Sequence, residues 1–194
     1  MGFQIAGIAV LLLFYGCYIA KMTAQGRRGI RTDQMGRGKS GSAKRIELFL
    51  RTVTIGTVLT EAVSIALDTG SLPLPVRTLG VITSCIGTAV FILSVLTMKD
   101  SWRAGVPGRG ETELVTGGIY QLSRNPAFLG FDLVYAGLAA AFFNWALLAV
   151  SVTAAGVLHL QIVKVEEPFL AETFGEEYLR YRETVCRYLG RKRR

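Results

Sequence analysis

Apolar residues fall into five long runs, at 3–20, 48–67, 76–98, 128–143 and 145–163, holding 18, 20, 23, 16 and 19 residues. A helix needs about 20 apolar residues to cross a bilayer. The pattern predicts an all-α, polytopic membrane protein with five transmembrane helices in a single membrane domain, 1–194. The fourth run is short, which implies little tilt or a locally thinned bilayer. Only Asn144 separates it from the fifth, so these two should form a tight hairpin. The second run carries Arg51, near its end, and Glu61, deeper inside. Arg51 can snorkel. Glu61 must face other helices or water near the outer surface, and either a structural hydrogen bond or a functional role fits it.

The fifth helix runs on into Lys164 and the pair Glu166 and Glu167. Pro168 should kink or restart it. Beyond Gly175, Tyr178, Tyr181 and Val185 recur on one helical face, which predicts an interfacial amphipathic helix with arginines opposite. Two connections are long and rich in glycine: a basic, mobile loop at 25–42 and a polar segment at 101–125. Long ordered loops are often functional.

Composition agrees with a membrane body: 51% of residues are hydrophobic, 19% are charged, and the mean hydropathy is +0.39. That balance excludes an ordinary soluble globule and a disordered chain. Of the 22 Lys and Arg, 20 lie in 21–45, 99–124 and 164–194, whereas 68–75 and 142–145 hold none. Alternate connections are therefore basic, which places the N-terminus outside and the C-terminus in the cytoplasm. The net charge of +8 reads as a topology signal and an attraction to anionic lipid, not as nucleic-acid binding. The first run has bases after it and none before it, the reverse of a cleaved signal, so it is read as a retained span.

Metal chemistry finds no support. Cys17, Cys85 and Cys186 are scattered, and His159 is the only histidine. The glycines at 36, 38 and 41 fit a dinucleotide-binding spacing, but no strand precedes them and no acid follows on schedule. The informative residues lie later. Leu114, Val115, Gly117, Gly118 and Tyr120 lead into Arg124, Asn125, Pro126 and Phe128. His159, Glu166, Glu167, Phe174, Gly175, Tyr178 and Tyr181 follow. In an α-helix seven residues advance about 700°, so His159 and Glu166 should share a face. An imidazole and two carboxylates at the mouth of a bundle suit a cationic ligand. The same residues also suit a helix end with solvated glutamates packed on a loop.

Residues 102–187 resemble the isoprenylcysteine carboxyl methyltransferase family of integral membrane enzymes, in its prokaryotic branch. The resemblance rests on a Gly-x-Tyr and Arg-x-Pro block paired with a Glu-Glu and Phe-Gly-x-x-Tyr block, which phospholipid methyltransferases largely share. It implies a cytoplasm-facing site for S-adenosylmethionine. The cofactor contacts would fall on Thr112, Glu113, Leu114, Val115, Tyr120, Asn125, Pro126, Ala127, Phe128, His159, Glu166 and Glu167. Glu167 and Arg124 would be the catalytic pair. One glutamate would hold the cationic portion of the cofactor, with Tyr120 and Phe128 packing on adenine or ribose. Arg124 would orient an acceptor or cofactor carboxylate, or else brace the loop. The chain departs from the pattern at Asn125 and Phe128, where the family commonly has histidine and tyrosine. It also has Ile162 where eukaryotic members have a substrate-associated arginine. The implied reaction methylates the carboxylate of a prenylcysteine-like, lipidated acceptor, small molecule or peptide, drawn from the membrane. N-methylation of a phospholipid amine is the alternative, and a non-catalytic membrane scaffold or transporter is a third reading. No feature of the sequence fixes an oligomeric state.

Overall fold

A computed structural model of the chain describes residues 1–106 and 113–192. Among these residues the fold is helical, with no β-strand beyond two isolated bridges, Asp33 with Ala104 and Val185 with Arg191. The helices are α1 (Gly2–Arg27), α2 (Gly41–Ala66), α3 (Leu74–Met98), α4 (Pro126–Ala141), α5 (Trp145–Gln161) and α6 (Glu167–Thr184). A π-type turn, Ile162–Glu166, joins α5 to α6. Helices α1, α2, α3 and the stretch from α5 into α6, Trp145–Thr184, are long and apolar enough to cross a membrane. At 16 residues α4 is apolar but shorter. It spans about 24 Å, against a hydrocarbon core of about 30 Å.

The helices outrun the apolar runs at the basic end. Helix α1 continues to Arg27, and α2 begins at Gly41, ahead of Lys44 and Arg45. Polar residues there keep helical backbone while their heads reach water. The basic loop shrinks accordingly and is tied down rather than free. Gln34 N–H donates to the Ala104 carbonyl at 2.8 Å, and Arg51 pairs with Asp33 at 2.5 Å. The hairpin turns where expected. Asn144 caps α5 by accepting from Leu147 N–H at 2.9 Å, and its amide donates to Ser64 and Thr69.

Packing runs around a ring: α1 on α3, α3 on α4, α4 on α5, α5 on α2, and α2 back on α1. The closest seam lies between α3 and α4, which run antiparallel. Gly80 faces Gly137 and Gly87 faces Gly130, each backbone touching the other. Small residues let membrane helices approach this closely, where apolar burial alone does not distinguish a neighbouring helix from lipid. The ring's aromatic centre is Phe14, Phe91 and Phe131, with centroids 4.6 to 5.3 Å apart.

Gly175, with φ of +50°, breaks α6 after its second turn. The helical face beyond it does not lie open as an interfacial helix would. Tyr178 and Val185 are buried, and Tyr181 O–H donates to the Tyr120 carbonyl at 2.6 Å. That face packs on the loop entering α4, and this fixes the site described next.

Candidate active site

Two cavities meet at the basic end of the ring. The smaller encloses about 120 Å³ among the described residues, between the 113–128 segment and α6. The larger, of about 460 Å³, runs among α1, α2, α4 and α5 and is mostly apolar. Trp102, Arg103, Gly105, Ala127, Phe128 and Glu166 line both, so they form the neck.

Of the residues singled out in the sequence, Glu113, Leu114, Val115, Tyr120, Arg124, Asn125, Ala127, Phe128 and Glu166 line the smaller cavity. Pro126 is buried beside them as the first residue of α4 and lines neither cavity. Thr112 lies outside the described residues. His159 and Glu167 are placed elsewhere.

The π-type turn explains both exceptions. It is wider than an α-turn, so the chain advances less per residue between His159 and Glu166. They do not share a face. His159 sits exposed on the outer side of α5, with Nδ1 2.8 Å from the Tyr188 hydroxyl and the two rings stacked. Glu166 turns inward to the neck. Glu167 turns into a cluster of arginines behind the cavity wall. Arg187 grips it with two hydrogen bonds, of 2.8 and 2.9 Å, and Arg124 pairs with it at 2.9 Å. Burial raises the Glu167 carboxyl pKa, but the two guanidinium groups outweigh burial and hold it below the usual range.

Arg124 is a brace by its contacts. Besides Glu167, it donates to the Val185 carbonyl at 3.1 Å and to the Tyr178 hydroxyl at 2.8 Å. Asn125 does similar work through its amide, which donates to the Arg187 carbonyl at 3.0 Å. The Tyr120 hydroxyl hydrogen-bonds to Ser94 at 2.8 Å, which leaves the ring face as its contribution to the cavity.

Glu166 has a different environment. Burial at the neck pushes its pKa up to about 7, the neighbouring Glu47 carboxylate adds to this, and the Gln161 amide and Lys39 oppose it. Glu47 is a residue that the sequence reading passed over. It is fully buried and accepts from Gly36 N–H at 2.7 Å, Val106 N–H at 3.3 Å and Gln161 Nε2 at 3.2 Å, besides pairing with Lys39. One carboxylate thus ties the loops at 28–40 and 102–106 to the end of α5. Its only signal in the sequence is an acid standing just ahead of an apolar run beside two bases. Gln161, also passed over, is buried, its Oε1 has no hydrogen-bond partner among the described residues, and it lines the larger cavity.

The arrangement offers ring faces and an acid of tunable charge on one side of the neck, and an apolar channel on the other. No curated protein matches the chain. The model of the family described as phospholipid methyltransferase (PEMT) matches residues 76–177, from α3 through the first part of α6, just over half of the 194 residues. The chain belongs to the phospholipid methyltransferase family.

Proposed function

We propose that this membrane methyltransferase moves a methyl group from S-adenosylmethionine to the polar end of a lipid-held acceptor. The transfer takes place at the neck between its two cavities. The shared wall carries this reading. Arg103, Phe128 and Glu166 face both a smaller, more polar chamber and a larger, mostly apolar one, so a nucleoside and a lipid chain would meet there. Five crossings, counting α4, with the basic end in the cytoplasm, would put the smaller chamber on the side where the cofactor is made.

The small cavity's groups fit the cofactor. Tyr120 and Phe128 offer ring faces to adenine, and Glu166 offers a carboxylate to a cation. When bound, S-adenosylmethionine supplies an electrophilic methyl on a positively charged sulfur. Glu166, not Glu167, holds that charge, because two arginines already neutralise Glu167. The cavity's 120 Å³ falls below the roughly 300 Å³ of common ligand pockets, so binding requires wall side chains to give.

For a carboxylate acceptor, as in prenylcysteine, no base is needed, since such a group with a pKa of about 3.5 is ionised at neutral pH. Arg103 at the neck would orient it, and the aromatic walls would exclude water. Amine methylation is the second reading, favoured by the family match and by Glu166, whose pKa near 7 suits it to accept a proton. The test is radiolabelled methyl transfer in liposomes, with a farnesylcysteine analogue and phosphatidylethanolamine supplied separately. Product from the first, at a rate flat above neutral pH, supports the carboxylate. Product from the second, rising with pH, supports the amine. Transfer to neither overturns the proposal.

Glu166 also predicts a pH dependence. The charged carboxylate dominates above pH 7 and the neutral acid below it. Preference for S-adenosylmethionine over S-adenosylhomocysteine should therefore rise with pH up to about 7, by at most tenfold per unit, and level off above. The two ligands share their amino and carboxyl groups, so their ratio isolates the sulfonium. Calorimetry at pH 6 and pH 8 checks it, and an unchanged ratio removes Glu166 from that role.

A further inference from the structure

Helices α1 and α2 are fastened together away from the basic end. Gln4 Nε2 donates to the Ile65 and Ala66 carbonyls at 3.2 and 3.1 Å, and the Tyr15 hydroxyl donates to Glu61 Oε2 at 3.1 Å. Toward the basic end α1 takes other partners. Gln25 Nε2 donates to the Trp102 carbonyl at 3.1 Å, and Arg28 pairs with Asp100 at 3.0 Å. There the larger cavity comes between the two helices, lined by Tyr18 and Met22 of α1 and by Arg51 and Thr54 of α2.

The cavity has a mouth. Ile19 of α1 and Ile55 of α2 line it, yet they are 60% and 56% exposed. Residues that are wall and surface at once mark an opening. Both stand within the apolar runs of helices suited to crossing a membrane, so this opening faces hydrocarbon rather than water. The Tyr15–Glu61 bond bounds it on the side away from the basic end, and the Arg51–Asp33 pair, at 2.5 Å, bounds it on the other. Ten residues of α2 separate Arg51 from Glu61, about 15 Å. Charge is confined to the basic end of this space, with Arg51 and Asp33 at the rim and Arg103 and Glu166 at the neck. Among the described residues every other side chain in the wall is uncharged.

A hydrocarbon chain needs no hydrogen-bond partner, whereas a head group out of water needs charge or polar contacts. A space that is apolar where it opens to lipid and charged at its inner end suits an amphiphile lying along it. Its volume of about 460 Å³ is within the roughly 300–1,000 Å³ of ligand pockets. We propose that a membrane lipid reaches the neck sideways, with one hydrocarbon chain in the mouth between Ile19 and Ile55 and its head turned toward Arg103 and Glu166. This rests on the reading of that cavity as the acceptor's. Because the mouth is open, the end of the chain stays in the bilayer, and the cavity selects its lipid by the head and not by chain length.

The chain's two tryptophans provide the test. Trp102 lines the cavity and is only 4% exposed, whereas Trp145, at the start of α5, is 76% exposed. Trp145→Phe leaves Trp102 as the sole indole. The full chain with that substitution is reconstituted in vesicles of phosphatidylcholine and phosphatidylethanolamine, either plain or with chains brominated near the head group. Bromine quenches an indole only at close range. Trp102 should lose most of its emission in the brominated vesicles although it is buried. Ile19→Phe with Ile55→Phe narrows the mouth and should restore most of it. Leu12→Phe with Leu59→Phe places the same bulk on exposed positions of the same helices, outside the lining, and should restore none. If the first pair does not fold, Val58→Phe, which fills the cavity from its wall, takes its place. Full emission from Trp102 in brominated vesicles overturns the proposal, and so does quenching that persists when the mouth is narrowed or is relieved equally by the control pair. S-adenosylhomocysteine binding by calorimetry on the same preparation keeps the two failures apart. An unquenched Trp102 in a chain that binds it sinks only the mouth, while quenching without binding sinks the methyltransferase reading and leaves a lipid site.

Discussion

Glu166→Gln should cost S-adenosylmethionine about 100-fold in affinity and S-adenosylhomocysteine less than about tenfold. The amide matches the carboxylate in volume and can still hydrogen-bond Gln161, so packing at the neck is preserved. What goes is the charge. Truncating one partner of a desolvated charge pair costs about 2–5 kcal/mol, because the other charge is left buried without compensation. That range brackets the factor of 100. S-adenosylhomocysteine carries a neutral sulfur and should be nearly indifferent. Glu167→Gln is the informative contrast. It leaves Arg124 and Arg187 facing each other across an amide, and it should lower the melting temperature. The ratio of the two ligand affinities should stay as in the native chain. Calorimetry on both variants decides between the glutamates. A similar loss for both ligands in Glu166→Gln, or a collapse of the ratio in Glu167→Gln, would sink the assignment.

These adjacent acids show how far the sequence could be read. The apolar runs located all five ring helices, because hydrophobicity over a long window survives any local change of geometry. Asn144 marked the hairpin for a similar reason: a cap is a local device, visible in local sequence. Helical periodicity failed where the helix ceased to be an α-helix. Nothing in Ile162–Glu166 announces a wide turn, yet that turn separates His159 from Glu166 and sends Glu166 and Glu167 to different places. The second loss came from long-range contacts. Glu47 and Gln161 lie on different helices and acquire meaning only when the ring closes. The aromatic face at Tyr178, Tyr181 and Val185 was legible as apolar, but its partner was not. A stripe of tyrosines satisfies lipid interface and protein loop equally well until the loop's carbonyls are placed beside it.

Gly137→Val should disable the protein outright. A β-carbon on Gly137 would stand 2.3 Å from Ser84 Oγ, 2.5 Å from the Gly80 carbonyl and 2.7 Å from Ser84 N. Two of those atoms are backbone and cannot rotate away. The helices must separate, and overpacking of this kind costs about 1–3 kcal/mol, or more where backbone has to move. Separation also reaches the site, because α4 opens with Pro126, Ala127 and Phe128 and carries the neck on its first turn. Valine should therefore abolish the monodisperse peak in detergent, and any folded remainder should not bind S-adenosylhomocysteine. Gly16→Ala is the control. Beyond the local backbone of its own helix, no atom of the described residues lies within 4 Å of a β-carbon there, and alanine in an open helical position is favoured over glycine by about 0.5–1 kcal/mol. That variant should melt at or above the native temperature and bind as the native chain does. The contrast separates a general intolerance of substitution from the specific demand of α3 and α4 for contact through bare backbone. A Gly137→Val protein that melts and binds like the native chain would show that the seam is looser than its glycines imply.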